Sequence, residues 1–399
     1  MRRSLALLAG VAVAASTVAI AAPAHAANTI SGGGASFPYP FISQCAADFN
    51  ASQSNFSIQY TSTGSGTGKS NFTKGTFVYA MTDSKYSSGE PSFGWEYIPA
   101  IGGAVAFPIN LKSTTTGKTL GSSIQLKQST LAKIMGGVIK TWNDKEILAS
   151  NARIAKSIPA KPITVVYRSG NSGTTNNTLQ YLNAWAPSIF PKVQDDFGTA
   201  FPGSVPLKSS QTGKDNATVM SLINATEGSI GYVDFGDAKG YPVARIQNAN
   251  GEFIAPSAAS AAKNLANQTN VGSNGLITLN YNVKIPGAYP AAIFSYGLAR
   301  IDGKGPNGLG VRQFFDYVLQ KCGPSRAASL GYVPVGGKVQ IAEIETHDPR
   351  RWLTTMALIH GEKLSDVLIN KWANRCKLSQ LKDYDFRTAE IMAAQAAMP

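Results

Sequence analysis

The segment RSGNSGTT (168–175) combines one arginine, two glycines and several hydroxyls in a single turn. It follows a strand-like run, ITVVY (163–167), and precedes a helical apolar pattern through Leu179, Leu182 and Trp185. The first N–H groups of a helix have no partners within the helix. An arginine beside such groups suits an oxyanion through charge-assisted hydrogen bonds. The segment therefore predicts an anion site.

Two further glycine-containing turns precede predicted helices. GGGASFP (32–38) leads into a helix that starts near Pro40, so Ser36 and Phe37 offer a hydroxyl and N–H groups at a helix start. GSGTGKS (64–70) imitates the phosphate loop of nucleotide hydrolases, but the first glycine of that motif would fall at Thr63. This segment is interpreted as another turn that offers N–H groups to an anion.

A single aspartate, Asp83, ends the apolar strand-like run FVYAMTDS (77–84). A lone aspartate after a strand is typical of a turn or a helix cap. The residue types alone favour that structural role.

Catalysis is disfavoured by the histidine inventory. The chain has His25, His347 and His360, which leaves the main body without an imidazole for a Ser-His pair or a zinc site. We therefore predict a protein that is not an enzyme and that has no metal site and no cofactor.

The amino-terminal residues predict export. Arg2 and Arg3 precede an apolar run (5–22) that ends in AHA (24–26), which is typical of a secretory signal peptide over residues 1–26 with cleavage between Ala26 and Ala27. The first cysteine is Cys45, far from that site, so no lipid anchor is expected. The sequence predicts a free periplasmic or secreted protein.

The net charge of +13 raises the possibility of nucleic-acid binding. Charged residues make up only 15% of the chain, and lysines and arginines are spread out rather than clustered in runs. We expect no nucleic-acid partner, only a mild attraction for anions.

Alternating patterns indicate an α/β protein. A strand is expected at 56–60, a helix at 131–142 with Val138 and Trp142 on its apolar side, and a helix at 216–223 before a strand near 228–233. About 370 residues after the signal favour two domains.

Three cysteines allow three pairings, and the residues do not choose among them: Cys45, Cys322 and Cys376. Cys45 falls on the apolar stripe of a predicted helix with Phe41 and Phe49, where burial as a free thiol is the simpler expectation. The preferred bridge is therefore Cys322–Cys376.

The order of these motifs resembles the periplasmic phosphate-binding protein of the bacterial phosphate ABC transporter, from about Ile30 to Gly336. The shared motifs are GASFP (34–38), TGSG (63–66), TDS (82–84), IGG (101–103), KTWND (140–144), RSGNSGT (168–174), GSIGY (228–232) and GYVP (331–334). The resemblance implies a two-lobed α/β periplasmic binding protein fold, type II-like, with a hinge between the lobes. Residues 27–110 with 287–337 would form lobe 1, residues 111–286 lobe 2, and residues 338–399 a helical C-terminal extension of unknown role.

The resemblance also implies which residues bind the ligand. They are Ser36, Phe37, Ser65, Asp83, Arg168, Ser172, Gly173 and Thr174. Arg168 would supply the charged fork, and Asp83 would accept a proton that phosphate carries near neutral pH and sulfate does not. Sulfate would leave a buried acceptor unpaired, at a penalty of about 1–3 kcal/mol. One departure is Gly170, where the family commonly has an aspartate that pairs with the arginine.

These features together predict a monomeric extracytoplasmic receptor that binds inorganic phosphate and delivers it to the permease of an ABC transporter. A receptor for another tetrahedral oxyanion such as sulfate is the alternative within the same class. An exported phosphatase-like enzyme and a surface adhesin are alternatives from other classes.

Overall fold

The computed structural model describes residues 27–201, 210–268, 270–272, 274–302, 305 and 307–335. The predicted signal peptide, the C-terminal extension and Cys376 lie outside the described residues. All statements below concern the described part of the chain.

Helices and strands alternate, as the sequence patterns predict. The helices are α1 Tyr39–Ser52, α2 Ser65–Thr73, α3 Gln128–Met135, α4 Lys145–Ser150, α5 Gly173–Trp185, α6 Asn216–Ala225, α7 Phe235–Ala238, α8 Ala258–Leu265, α9 Gly308–Tyr317 and α10 Gly323–Arg326. The strands are β1 Asn28–Gly34, β2 Phe56–Ser62, β3 Tyr79–Thr82, β4 Trp95–Ala106, β5 Ile109–Asn110, β6 Gln125–Leu126, β7 Thr164–Arg168, β8 Ser210–Gly213, β9 Ser229–Gly231, β10 Val233–Asp234, β11 Arg245–Gln247, β12 Phe253–Ile254, β13 Ala292–Arg300 and β14 Val333–Pro334. Short 3-10 segments cover Gly121–Ser123 and Ala152–Ser157, and a π-helical turn covers Val318–Cys322.

The larger sheet has the strand order β10-β4-β13-β3-β1-β2, with β14 paired to β4. Strands β2, β1 and β3 are parallel, and β13 pairs antiparallel with β3 on one side and with β4 on the other. Because parallel strands end at the same edge, the loops after β1, β2 and β3 lie together.

A smaller sheet has the order β5-β9-β7-β8, and β9, β7 and β8 are parallel. A third sheet joins β12, β11 and β6. Helices α5 and α6 follow directly after β7 and β8, so their amino-terminal turns begin at the carboxyl edge of the smaller sheet.

The chain passes from the larger to the smaller sheet between Ala106 and Ile109, and strand pairing returns to the larger sheet between Gly231 and Val233. Helix α8 also packs on β4 and β13. The connections at 106–109 and 231–233 therefore join the two sheets. The boundaries of the two lobes stay a prediction.

The predicted helix over residues 131–142 is too long. Helix α3 ends at Met135 because Gly136 and Gly137 follow, and Gly137 has a φ of 71°, in the left-handed region that glycine adopts without strain. Val138 is consequently 58% exposed, whereas Trp142 is buried and donates its indole N–H to the Gly228 carbonyl at 2.8 Å.

The structure overturns the preferred disulfide. Cys45 lies on the apolar face of α1, as predicted, but it is bonded to Cys322, with the Cα atoms 5.7 Å apart. Helix α9 packs its aromatic face against α1, with the Phe49 and Phe314 rings 5.7 Å apart, and the turn after α9 carries Cys322 to Cys45. The prediction of a free Cys45 and a Cys322–Cys376 bridge was wrong because this packing is invisible in the sequence.

None of the described helices has the length and apolar character of a membrane-spanning segment.

Cys45→Ser should lower the free energy of unfolding by roughly 2–5 kcal/mol, because the bridge closes a loop of 277 residues in the unfolded chain. Urea denaturation of the oxidised protein measures this. Cys376→Ser serves as the control and should leave the midpoint unchanged, and a loss with Cys376→Ser equal to that with Cys45→Ser would contradict the observed pairing.

Candidate anion-binding site

The loops at the carboxyl edges of both sheets meet in one place. Those after β1, β2 and β3 come from the larger sheet, and those after β7 and β8 come from the smaller one. Ligand sites of α/β proteins form at such edges.

Ser36 and Phe37 lie between β1 and α1. The Ser36 hydroxyl accepts a hydrogen bond from Nη1 of Arg168 at 3.0 Å. Phe37 is buried, with its ring edge-on to Tyr332 at 5.2 Å, and its carbonyl accepts from the Tyr332 hydroxyl at 2.8 Å. No side chain caps the start of α1, where the Tyr39 N–H donates to the Ser36 carbonyl at 3.2 Å and Pro40 has no N–H.

Ser65 is the first residue of α2 and lies against Asp83. Its hydroxyl accepts from the Asp83 N–H at 3.2 Å and donates to Oδ2 at 3.4 Å. Gly64, which caps α2, has a φ of 87°, a conformation that lets the chain turn directly from β2 into the helix. The fold thus places a hydroxyl and a helix amino terminus beside the carboxyl group.

The start of α5 approaches this group from the smaller sheet. Ser172 caps the helix by accepting from the Thr175 N–H at 3.3 Å. A Cβ atom on Gly173 would lie 2.4 Å from Oγ of Ser65 and 2.6 Å from Cβ of Asp83, so only glycine allows this contact. Thr174 is fully buried beside it.

Asp83 is 3% exposed and has an unusual environment. Burial raises its pKa from 3.8 to about 7, and the nearby Asp195 adds to the effect, while the hydroxyl of Ser295, the guanidinium of Arg168 and the hydroxyl of Ser65 act in the opposite direction. Oδ1 is buried without a hydrogen-bond partner among the described residues. A buried acceptor of this kind calls for a donor from a ligand.

Arg168, the last residue of β7, is 4% exposed. Its Nη1 donates to Ser36 and to Oδ1 of Asn216 at 2.9 Å, and its Nε has no partner among the described residues. A buried guanidinium with a free donor is suited to an oxyanion.

The eight residues that the sequence predicts for the ligand site therefore lie together at one point between the two sheets. Their proximity follows from the contacts described above, whereas their role in binding stays a prediction.

Sequence reasoning missed several neighbours of this cluster. The Asn177 amide donates to the Asp83 carbonyl at 2.5 Å, and Ser295 of β13 approaches the Asp83 carboxyl. Asn177 falls one turn after Gly173 on α5, which is the signal that could have identified it. Nothing in the sequence marks Ser295.

Lys69 lies in the glycine-rich turn that imitates a phosphate loop. Its ammonium forms an ion pair with Asp195. Its ammonium donates to Oδ2 of Asp195 at 3.0 Å, to the Ser84 hydroxyl at 2.9 Å and to the Lys85 carbonyl at 2.8 Å. Asp195 belongs to the segment between α5 and β8, and its carbonyl accepts from the Ser172 N–H at 2.8 Å. The ion pair therefore links helix α2, which packs on the larger sheet, to the loop of the smaller one.

Comparison with known proteins gives the family. A family model described as the PBP superfamily domain matches residues 19–321. The phosphate-binding protein PstS of Xylella fastidiosa is 33% identical over 312 residues, which covers 77% of this chain and 81% of that protein. The chain belongs to the PstS family of phosphate-binding proteins. PstS of Pasteurella multocida is 31% identical over 345 residues, covering 85% of this chain and 94% of its own length.

A solved structure supports the fold. The high-affinity periplasmic phosphate-binding protein PfluDING, bound with phosphate, superposes with a TM-score of 0.64 at 22% identity, over 79% of this chain and 93% of that one. The two-lobed α/β fold expected from the PstS-like motifs is thereby confirmed.

Asp83→Asn should remove a pH dependence of stability. Because the folded-state pKa of Asp83 is raised, the folded protein binds the proton more tightly than the unfolded chain, and the contribution of Asp83 to stability falls as the pH rises from about 4 to about 7. The stability contributed by Asp83 therefore decreases by at most about 4 kcal/mol over this pH range, because each unit of pKa shift corresponds to about 1.4 kcal/mol.

Urea denaturation without added anion, at several pH values between about 4 and 8, measures the difference in free energy of unfolding between wild type and Asp83→Asn. Asp234 and Asp237 titrate in both proteins, so their direct contributions largely cancel. A difference that stays constant across this pH range would show that the Asp83 carboxyl titrates normally.

Proposed function

We propose that this protein is an exported, monomeric receptor that binds inorganic phosphate in the cleft between its two lobes and delivers it to the permease of an ABC transporter. Membership of the PstS family supports the ligand and the transporter, and the sequence pattern of residues 1–26 supports export. The family model also includes most of the described chain.

The observation that carries the proposal is Oδ1 of Asp83, which has no partner within the described chain and lies near the guanidinium of Arg168. A ligand at this point must accept hydrogen bonds from Arg168 and from helix N–H groups, and must donate one to Asp83. Phosphate near neutral pH does both because it keeps at least one proton. Sulfate lacks the proton, so it would face a carboxylate with like charge and no hydrogen bond.

The arrangement is suited to holding an anion rather than to converting it. Arg168 is the guanidinium of the site, and the other proposed donors are hydroxyls and N–H groups, whose neutral dipoles stabilise charge without supplying a nucleophile and its base. Residues 27–335 contain no histidine. We propose binding without turnover, and an assay for phosphate release from a phosphate ester would reveal the phosphatase alternative.

Three contacts between the lobes describe the closed state. They are the Arg168–Ser36 hydrogen bond, the Asn177–Asp83 hydrogen bond and the Lys69–Asp195 ion pair. Closure that excludes water from the anion strengthens its hydrogen bonds, and a closed form differs in shape from an open one, which lets a permease distinguish loaded from empty receptor.

The selectivity for phosphate over sulfate should fall as the pH is lowered. At about pH 8 most Asp83 is ionised and rejects sulfate, whereas at about pH 5 it carries its own proton and can donate to a sulfate oxygen. Sulfate affinity should therefore rise about tenfold across this range, in proportion to the protonated fraction. Calorimetric titration of the mature protein with phosphate and sulfate in parallel measures both affinities.

Asp83→Asn is the matched control, because an amide offers both a donor and an acceptor at every pH. Its selectivity should be lower than that of wild type and nearly independent of pH. Saturable sulfate binding at about pH 8 with no measurable phosphate binding would favour the sulfate receptor, and no anion binding at all would favour the adhesin.

Lys69→Met should weaken phosphate binding about tenfold without direct contact to the ligand, because it removes a buried ion pair that holds the lobes together. Stopped-flow measurement should place most of the loss in the dissociation rate. Lys133→Met removes the half-exposed Lys133–Glu146 pair and should leave affinity unchanged. Equal affinities for Lys69→Met and wild type would remove the ion pair from the closing mechanism.

A further inference from the structure

Arg168 lacks a carboxylate partner of its own. Within the described residues, no carboxylate oxygen lies within 4.0 Å of its guanidinium nitrogens. Gly170, two residues later in the same turn, has a φ of 75° and open space where a side chain would begin. Arg168 is held instead by the neutral oxygens of Asn216 and Ser36. Its orientation therefore depends on how firmly those oxygens are fixed.

Asn216, the first residue of α6, is 3% exposed and is fixed by two carboxylates. Its Nδ2 donates to Oδ2 of Asp234 and, at 2.7 Å, to Oδ2 of Asp237. An amide has two N–H donors, and both are engaged here. The amide oxygen is consequently turned toward Arg168.

Asp234 connects this support to a second proposed donor. It is fully buried, and both of its oxygens lie 3.2 Å from Oγ1 of Thr174. Asp234 lies in β10 of the larger sheet, whereas Thr174 and Asn216 follow β7 and β8 of the smaller one. A single carboxyl group of the larger sheet thus contacts side chains at the starts of two helices that follow strands of the smaller sheet.

The surroundings of Asp234 shift its pKa. Burial raises its pKa well above the ordinary value, Asp237 and Asp83 add to this, and Asn216 and Arg168 oppose it, while Tyr332 also faces the group. The Thr174 hydroxyl donates to the Asp234 carboxyl group, which holds that hydroxyl in place.

We propose that Asn216 and Asp234 are positioning residues of the anion site: Asn216 orients the guanidinium of Arg168, and Asp234 orients Asn216 and the hydroxyl of Thr174. The proposal rests on the phosphate-binding function proposed above. It explains how the site keeps a defined arginine although position 170 is glycine.

The test measures phosphate affinity by calorimetry in a double-mutant cycle. Asn216→Ala should weaken binding about tenfold, the effect of losing one hydrogen bond to a charged group. In an Arg168→Ala background the same substitution should change affinity by less than about twofold, because the guanidinium that Asn216 orients is gone.

Two substitutions of Asp234 provide a second measurement. Asp234→Asn should stay within about threefold of wild type, because the amide still accepts from Asn216 and can hydrogen-bond the hydroxyl of Thr174. Asp234→Ala should lose about tenfold, since it frees both side chains. This pair decides the proposal if Asn216→Ala does not fold or if Arg168→Ala binds too weakly to measure.

Asn264→Ala is the matched control. Asn264 is also 3% exposed and donates to the Tyr289 carbonyl at 2.9 Å, but it lies on α8, apart from the anion site. The substitution should lower stability and leave affinity unchanged.

The outcomes separate the two proposals. Wild-type protein that does not bind phosphate would overturn the proposed function and this inference with it. Wild type that binds phosphate while Asn216→Ala binds equally well, or loses about tenfold in both backgrounds, would overturn the inference alone. Equal affinities of Asp234→Asn and Asp234→Ala would do the same.

Discussion

A buried carboxyl group beside a site for an anion is the constraint on which this structure depends. Asp83 is almost completely buried, and one of its oxygens has no partner among the described residues. Burial raises its pKa, and the guanidinium of Arg168 partly opposes this rise. Such an arrangement is unfavourable unless a proton is present on the carboxyl group or on its ligand. The site therefore requires protonation as much as positive charge, and in the proposed function this requirement is the basis for choosing phosphate over sulfate.

The polypeptide meets this constraint by bringing glycine backbone very close to neighbouring backbone and side-chain atoms. A Cβ on Gly34 would lie 2.1 Å from the Met81 carbonyl oxygen, and one on Gly173 would lie 2.4 Å from Oγ of Ser65. These contacts let the ends of β1 and β3 and the start of α5 converge on Asp83. The glycines of the predicted motifs thus matter for close approach as well as for turns.

No carboxyl group of the described residues forms a direct ion pair with Arg168. Arg168 faces Asp83 across the site, and Asp234 and Asp237 lie behind Asn216. An amide between a guanidinium and two carboxyl groups fixes the arginine without direct contact between the arginine and a carboxyl group. This is a different solution from a direct arginine–aspartate pair in the same turn.

Much of the site could be predicted because its residues follow strands in short motifs. Each of three segments shows a recognisable pattern of polar and apolar residues on its own: the turn after β7, helix α1 and the helix predicted at 216–223. The predicted helix over residues 131–142 failed for a local reason that was also visible, since Gly136 and Gly137 interrupt it. The Cys45–Cys322 bridge could not be found this way, because it depends on the packing of α1 against α9.

The sequence by itself determined the alternation of strands and helices, the export signal expected from residues 1–26 and the order of polar turns that could hold an anion, because each is encoded in a few neighbouring residues. Only the tertiary structure decided that Lys69 pairs with Asp195, that Asn216 bonds to both Arg168 and Asp234 and that Ser295 approaches Asp83. Burial and long-range contact set the protonation and orientation of these groups, and neither is a property of any short segment.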